Sequence, residues 1–421
     1  MTARSRAVVS ALAVLAVLPA LAGVKVEHTN VVSPKVALEA PADLRAIGQP
    51  GRVMERGGTL YVAGTTGIAA ISADGKLLWS MALDPTGVRE LAIDDGGIAY
   101  TGYEIIAAKT SGWAFLGEMP KKLLFAPSAI GMLSPDGKKL WEVKGPPSRV
   151  SPPCLTPASI GVLTGGSFHI YDRADGKLTV SKMDLEMALI PNEYASRLYR
   201  PRPLFLDGNF VGGYFYNLYR IGPHGEEIEK ESKNKSDIQA GPLNYHGNLL
   251  FGSYTTDMKA NINKALVAVA KPSGEFEKVW REDVADDHSP TADLLVDGDT
   301  IYAATNFSVA AVGADGKLIW SAEGKDGGLR CGSMRGARFA GTIPYRYWGG
   351  QLLSVVGDKL CVSARREVSK KTWVDVITVL NKADGSYVKT IDMKVDLIDM
   401  AMFGPRLAVA TTEGLKVLAL D

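Results

Sequence analysis

The sequence predicts an all-β fold, an eight-bladed β-propeller of four-stranded antiparallel blades, with seven blades as the alternative count. Three observations carry that expectation: a long internal repeat, tight-turn dipeptides between alternating apolar runs, and scarce helical periodicity. The repeat is plainest where "GTLYVAGTTGIAAISADGKLLWS" from Gly58 aligns with "DTIYAATNFSVAAVGADGKLIWS" from Asp299 over 23 positions without a gap. Tyr61 matches Tyr302, Asp74-Gly75-Lys76 match Asp315-Gly316-Lys317, and Trp79 matches Trp320. Chance does not hold such a register, so the unit is a structural repeat.

Weaker copies fill the chain. Their marker glycines are Gly75, Gly137, Gly176, Gly225, Gly274, Gly316 and Gly385, at spacings from 39 to 69 residues, so each unit is one supersecondary piece with loops of variable length. Within a unit, apolar residues alternate through "TLYVAG" and "GIAAIS", turn at Asp-Gly and resume in "KLLWSMAL". Asp-Gly between such runs marks a hairpin, because Gly adopts the positive φ of the tight turn. A further short strand precedes each hairpin, as in "ELAIDDGGIAYTG" and "DLLVDGDTIYAAT". Four antiparallel strands per unit follow. Helical periodicity is confined to "DLEMALIPNEYASRLY", residues 184–199.

One four-stranded sheet cannot bury both its faces. Radial stacking of sheets solves that problem and leaves only short edges. Trp79, Trp141, Trp280 and Trp320 then read as packing between blades, each burying on the order of 150–250 Å², an upper bound of roughly 4–6 kcal/mol per site. Seven marker-bearing units are followed by "LIDMAMFGPRLAVATTEGLKVLAL", which stops one strand short. The extended "NVVSPKVALEA", residues 30–40, is expected to supply that strand, so that the two termini share the closing blade and the ring has no open edge.

Composition narrows the function. The 421 residues carry 47 basic and 46 acidic side chains with no Lys/Arg cluster, which argues against a nucleic-acid partner. Arg4 and Arg6 precede a wholly uncharged run, then Pro19 and "ALA" at 20–22, the layout of a secretory signal over residues 1–22. An uncleaved anchor is the alternative. Residues 23–421 then form a single exported domain, periplasmic or extracellular, with no stable membrane span after cleavage. Cys154, Cys331 and Cys361 are isolated, open to one pairing or to plain burial, and no His/Cys group has zinc-ligand spacing.

The A-x-D-G-K-x-x-W pattern resembles the repeat of the pyrroloquinoline-quinone-like (quinoprotein-like) propeller family over nearly all of the chain from about residue 45 onward. The family includes periplasmic quinone-dependent alcohol dehydrogenases and non-catalytic propellers such as the lipoprotein of the outer-membrane protein assembly machine. The enzymes carry an adjacent Cys-Cys disulfide over the cofactor and a calcium held by Glu, Asn and Asp. No Cys-Cys dipeptide is present here. The resemblance therefore implies the non-catalytic branch, with no catalytic, cofactor or metal residue to carry over and no cofactor expected.

On a propeller, function resides in loops that exceed a minimal blade. "NEYASRLYRPRPLF" gathers Arg197, Tyr199, Arg200 and Arg202, and "GLRCGSMRGARFAGTIPYRYWGG" gathers Arg330, Arg335, Arg338, Tyr345, Arg346, Tyr347 and Trp348. These residue types are enriched at interaction hot spots. Asp283, Asp286, Asp287 and His288 cluster without the spacing of a calcium loop and read as a solvated connection. Neither a G-x-S-x-G elbow nor a Ser-His-Asp order is present. The expected function is an exported, non-catalytic interaction or assembly module of a bacterial envelope with a protein partner. A quinone- or carbohydrate-binding propeller with its site in the central channel is the alternative, and a matrix component joined through the two Arg/aromatic loops is a third.

Overall fold

The computed structural model describes residues 23–421 apart from 85–86, 112–118, 149, 165–166, 183–202, 215–216, 232–236, 258–261, 273–277, 286–292, 306, 325–352 and 370–371. Its strands group into eight four-stranded antiparallel blades: 50–82, 88–144, 154–182, 204–231, 237–285, 293–324, 353–392, and 397–418 completed by Val36–Leu38. The fold is the eight-bladed propeller. The first strand of each blade lies innermost and the fourth outermost, except that blade 8 takes its outer strand from the N-terminus. The helical pattern at 184–199 lies outside the described residues; a 3-10 helix at Ala42–Ile47, not anticipated, leads from the closing strand into blade 1.

The pairing of glycine and tryptophan in the repeat has a direct cause. Gly75, Gly137, Gly176 and Gly385 all have positive φ, from +71° to +87°, as the turn requires. The same glycines leave a hollow that the preceding blade fills. A Cβ on Gly137 would sit 2.3 Å from Trp79 Cδ2; on Gly176, 2.5 Å from Trp141 Cε3; on Gly385, 2.5 Å from Trp320 Cε3. Each indole N–H donates to the same turn: Trp79 to the Pro135 carbonyl at 3.2 Å, Trp141 to Arg173 at 2.8 Å, Trp320 to Lys382 at 3.1 Å. So the tryptophan of one blade is the knob for the glycine turn of the next. Val180 occupies that slot over Gly225, and Leu38 of the closing strand occupies it over Gly75, 3.5 Å away. Trp141 and Trp320 are buried, whereas Trp79 is half-buried. The Trp280 side chain lies outside what is described; its backbone pairs with Val269 in the outer strand of blade 5.

The N-terminal segment does more than close the ring. Val36–Leu38 pairs antiparallel with Gly414–Leu418, as anticipated for 30–40. Upstream, Val24–Val26 adds in parallel to Leu318–Gly324 of blade 6, and Val31–Val32 adds in parallel to Tyr387–Asp392 of blade 7. These two blades thereby become five-stranded. Val26 is fully buried and packs with Tyr302, Trp320 and Leu380, while Lys25 pairs outward with Glu323 at 2.5 Å. Residues 24–38 form a strap across the rims of three successive blades.

Polar contacts tie neighbouring blades at both ends of the inner strands. Asp399 accepts the Val53 N–H at 2.9 Å, Asp375 that of Leu397 at 2.8 Å and Asp293 that of Leu353 at 3.3 Å. At the opposite end, Arg56 meets Asp95, Arg173 meets Asp94, and Lys382 meets Asp297.

Candidate functional site

Antiparallel strands send their connections to two faces, and the two faces differ. The face carrying the first-to-second and third-to-fourth connections is built of short turns such as Gly57-Gly58, Asp207-Gly208 and Ser72–Lys76. Every long elaboration emerges on the other. Blade 2 inserts a hairpin, Ile105–Ser111 with Met119–Phe125, between its second and third strands. Blades 5 and 7 extend the same connection, through Asn248–Asp257 with Ile262–Ala270 and through Lys359–Ser369 with Thr372–Asn381. The long connections 183–203 and 325–352 leave from Lys182 and Gly324, the ends of outer strands, and return at the starts of inner strands, which also lie on this face.

The sequence-predicted site residues belong to those two connections. Arg197, Tyr199, Arg200, Arg202, Arg330, Arg335, Arg338, Tyr345, Arg346, Tyr347 and Trp348 all lie outside the described residues. What is described is where their chain segments are anchored: at blades 3 and 4 for one, at blades 6 and 7 for the other. Beside the second, the blade 7 hairpin presents exposed Val368, with Arg365 bonded to Asp375 at 3.1 Å and Arg366 to Asp392 at 3.2 Å behind it.

The channel holds a charged cluster that sequence reading missed. Arg52, Glu90 and Asp399, on the inner strands of blades 1, 2 and 8, are 4%, 7% and 2% exposed. The Arg52 guanidinium donates to Glu90 at 2.6 and 2.8 Å and reaches Asp399 at 3.3 Å. Burial alone would lower the Arg52 pKa; the carboxylates of Glu90 and Asp399 outweigh it and hold the pKa above its ordinary value. Each of the three residues stands four positions before the end of its inner strand, Arg56, Asp94 and Phe403. Opposite charges at a matched strand position were the available signal. Each alone reads as surface charge, because only ring closure brings blade 8 beside blade 1.

Further along, the inner strands of blades 6, 7, 8 and 1 line an open cavity of about 310 Å³. Its wall is mixed, with Met54, Leu295, Val355 and Met402 among its apolar side chains and Glu55, Asp297 and Ser354 among its polar ones. Among the described residues no cluster of His, Cys, Asp and Glu could hold a metal ion. Asp283 is described, whereas Asp286, Asp287 and His288 are not. Cys154 and Cys361 are unpaired, buried in blades 3 and 7, and burial pushes each thiol up to about 12. Of the two readings of the cysteines, burial holds for these; Cys331 lies outside the described residues.

No protein-family model and no curated protein matches the chain. Solved structures do. Sqt1 of Saccharomyces cerevisiae superposes with a TM-score of 0.59 at 8% identity, covering 92% of this chain and 99% of that one. A Bacteroides caccae protein of unknown function is similar at 14% identity, with a TM-score of 0.36 over 66% of this chain and 94% of its own. Among the described residues no helix is long and apolar enough to cross a membrane. At 8% identity the likeness to Sqt1 is one of fold, and together with the eight closed blades it makes this chain a β-propeller.

Proposed function

We propose that the protein is an exported propeller of the quinoprotein-like type that binds a protein partner of the bacterial envelope through the face bearing the long connections. One observation carries this reading: the turns on one face are nearly minimal, while every extended hairpin, and the strand ends that both Arg/aromatic connections join, lie on the other. Sheets fix the ring, so chain added on one side only is chain free to specialise. Aromatic and arginine side chains are the types that dominate protein interfaces.

A photo-crosslinking residue at Val368, compared with one at His224 in a turn of the opposite face, tests the assignment in intact envelopes. A discrete adduct is expected from position 368 alone; adducts from 224, or from neither, count against it. Export is tested separately by the mass of the mature chain, which is expected to begin at Gly23.

The 310 Å³ cavity favours the second reading, a small ligand in the channel. A chromophore that copurifies with the folded chain and is released only on denaturation would move the assignment to that reading.

A further inference from the structure

The side of the ring with the short turns has a feature of its own. The open cavity of about 310 Å³ is lined near the ends of four inner strands, by Glu55, Asp297, Val355 and Met402 among others. The turns Gly57-Gly58, Gly298-Asp299, Gly357-Asp358 and Gly404-Pro405 follow directly. The cavity therefore lies at the end of the ring opposite the long connections. Its volume is at the small end of the range for ligand sites.

Its charge is one-sided. Among the described residues no Lys, Arg or His lines it, whereas Glu55 of blade 1 and Asp297 of blade 6 do. Asp297 is balanced by Lys382 of the neighbouring blade, Nζ to Oδ2 at 2.8 Å. Glu55 meets no cation among the described residues; its Oε1 accepts the Gly58 N–H at 2.7 Å. The cations of the adjoining turns are engaged elsewhere: Arg56 with Asp95 at 2.8 Å, Lys359 with Asn381 at 2.7 Å, Arg406 with the Ala73 carbonyl at 2.6 Å. The site thus keeps one negative charge. Met54, Leu295 and Met402 supply much of its apolar part. Met402, 42% exposed, is among the described residues the one exposed large apolar side chain on an inner strand.

We propose that this cavity binds a small aliphatic amine in its ammonium form. The proposal rests on the second reading above, a small ligand between the inner strands, and names its class; the partner-binding face does not depend on it. A primary ammonium carries three N–H donors, and Glu55, Asp297 and Ser354 offer side-chain acceptors in the wall. Bonds from an ammonium to a carboxylate are charge-assisted and stronger than neutral ones. The flexible, polarisable methionines adapt to an alkyl chain. A quaternary ammonium would call for aromatic faces, and none lines the cavity. A divalent ion would need more oxygens than two carboxylates supply, one of them already held by Lys382. A carboxylate ligand would meet the charge of Glu55 with no counter-charge in the wall.

The probes are hexylamine, hexanol and hexanoate, matched in length and different in charge, added at neutral pH to the full folded chain with isotope-labelled methionine methyls. Saturable shifts of the Met54 and Met402 resonances are expected with hexylamine, while Met132, buried in blade 2, stays unmoved. Hexanol is expected to bind roughly tenfold more weakly or worse, and hexanoate to leave both resonances in place. Glu55→Gln retains an acceptor for the Gly58 N–H and removes the charge; it is expected to weaken the amine by roughly tenfold or more. Glu413→Gln, which removes a charge from the opposite face, is expected to leave binding unchanged. Equal binding of hexylamine and hexanol, or equal binding of the amine to Glu55→Gln and the unmodified chain, would overturn the amine assignment and leave a ligand cavity standing. No shift with any probe would overturn both. Should Glu55→Gln fail to fold, the comparison of the three probes on the unmodified chain decides alone.

Discussion

At the scale of single residues, the repeat motif is a lock whose two halves lie in different blades. The marker glycine serves a turn in its own sheet and a socket for the neighbouring indole. The two roles separate experimentally. Gly176 and Gly208 share φ of +74°, but a Cβ on Gly176 meets Trp141 whereas one on Gly208 meets nothing within 4 Å. Gly208→Ala is expected to cost only the backbone strain, about 1–3 kcal/mol. Gly176→Ala adds overpacking of about 1–3 kcal/mol. Denaturant titration of the pair reads the difference. His169 supplies a pH dependence. It is buried in blade 3, and neither ring nitrogen has a hydrogen-bond partner. Desolvation lowers its pKa from the ordinary value. Below about pH 6.5 the unfolded chain therefore binds the proton more readily than the folded one, and stability falls as pH falls through that window. His169→Phe is expected to flatten the slope of stability between pH 7 and 5.

At the scale of elements, what was legible in the sequence and what was not divide by mechanism. Hairpins built on Asp74-Gly75 or Asp315-Gly316 announce themselves, because turn chemistry and alternation are local. The closing strand was legible as a missing partner for 397–418. The additions of Val24–Val26 and Val31–Val32 were not. Segments of three and two residues have no period, and their fit depends on edges formed by residues about 300 to 360 positions later. The blade 2 insertion escaped notice for a related reason: "IIAAKTS" and "MPKKLLF" carry no Asp-Gly or Asn-Gly between them. Val26 provides the element-level test. Val26→Ala removes two buried methyl groups from the strap, at about 0.8 kcal/mol each. Its expected effect is a loss of about 1.5 kcal/mol together with faster amide exchange in 318–324.

At the scale of the whole molecule, ring closure joins charges that the sequence keeps far apart. Arg52 stands 347 positions from Asp399 yet sits between Asp399 and Glu90 in the channel wall. Removing the cation from such a buried group leaves two carboxylates uncompensated, which typically costs about 3–5 kcal/mol. Arg52→Ala is expected to lose that amount in equilibrium unfolding. Exposed pairs such as Lys76–Asp74 should be nearly silent when broken. The candidate site was legible only as composition: Arg and aromatic residues in two overlong connections. That both connections join strand ends on one side of the ring required the strand count and the sense of every blade.

The seam in blade 8 has a consequence for biosynthesis. Its third strand is Gly414–Leu418 and its outer strand is Val36–Leu38, so residues near 36 and near 418 must coexist before a ring can form. A chain still on the ribosome is a row of sheets with a raw end on each side. Completion of translation thus acts as a length check. A truncated product can never hide those ends, and quality-control proteases would meet it as an open row rather than as a smaller ring.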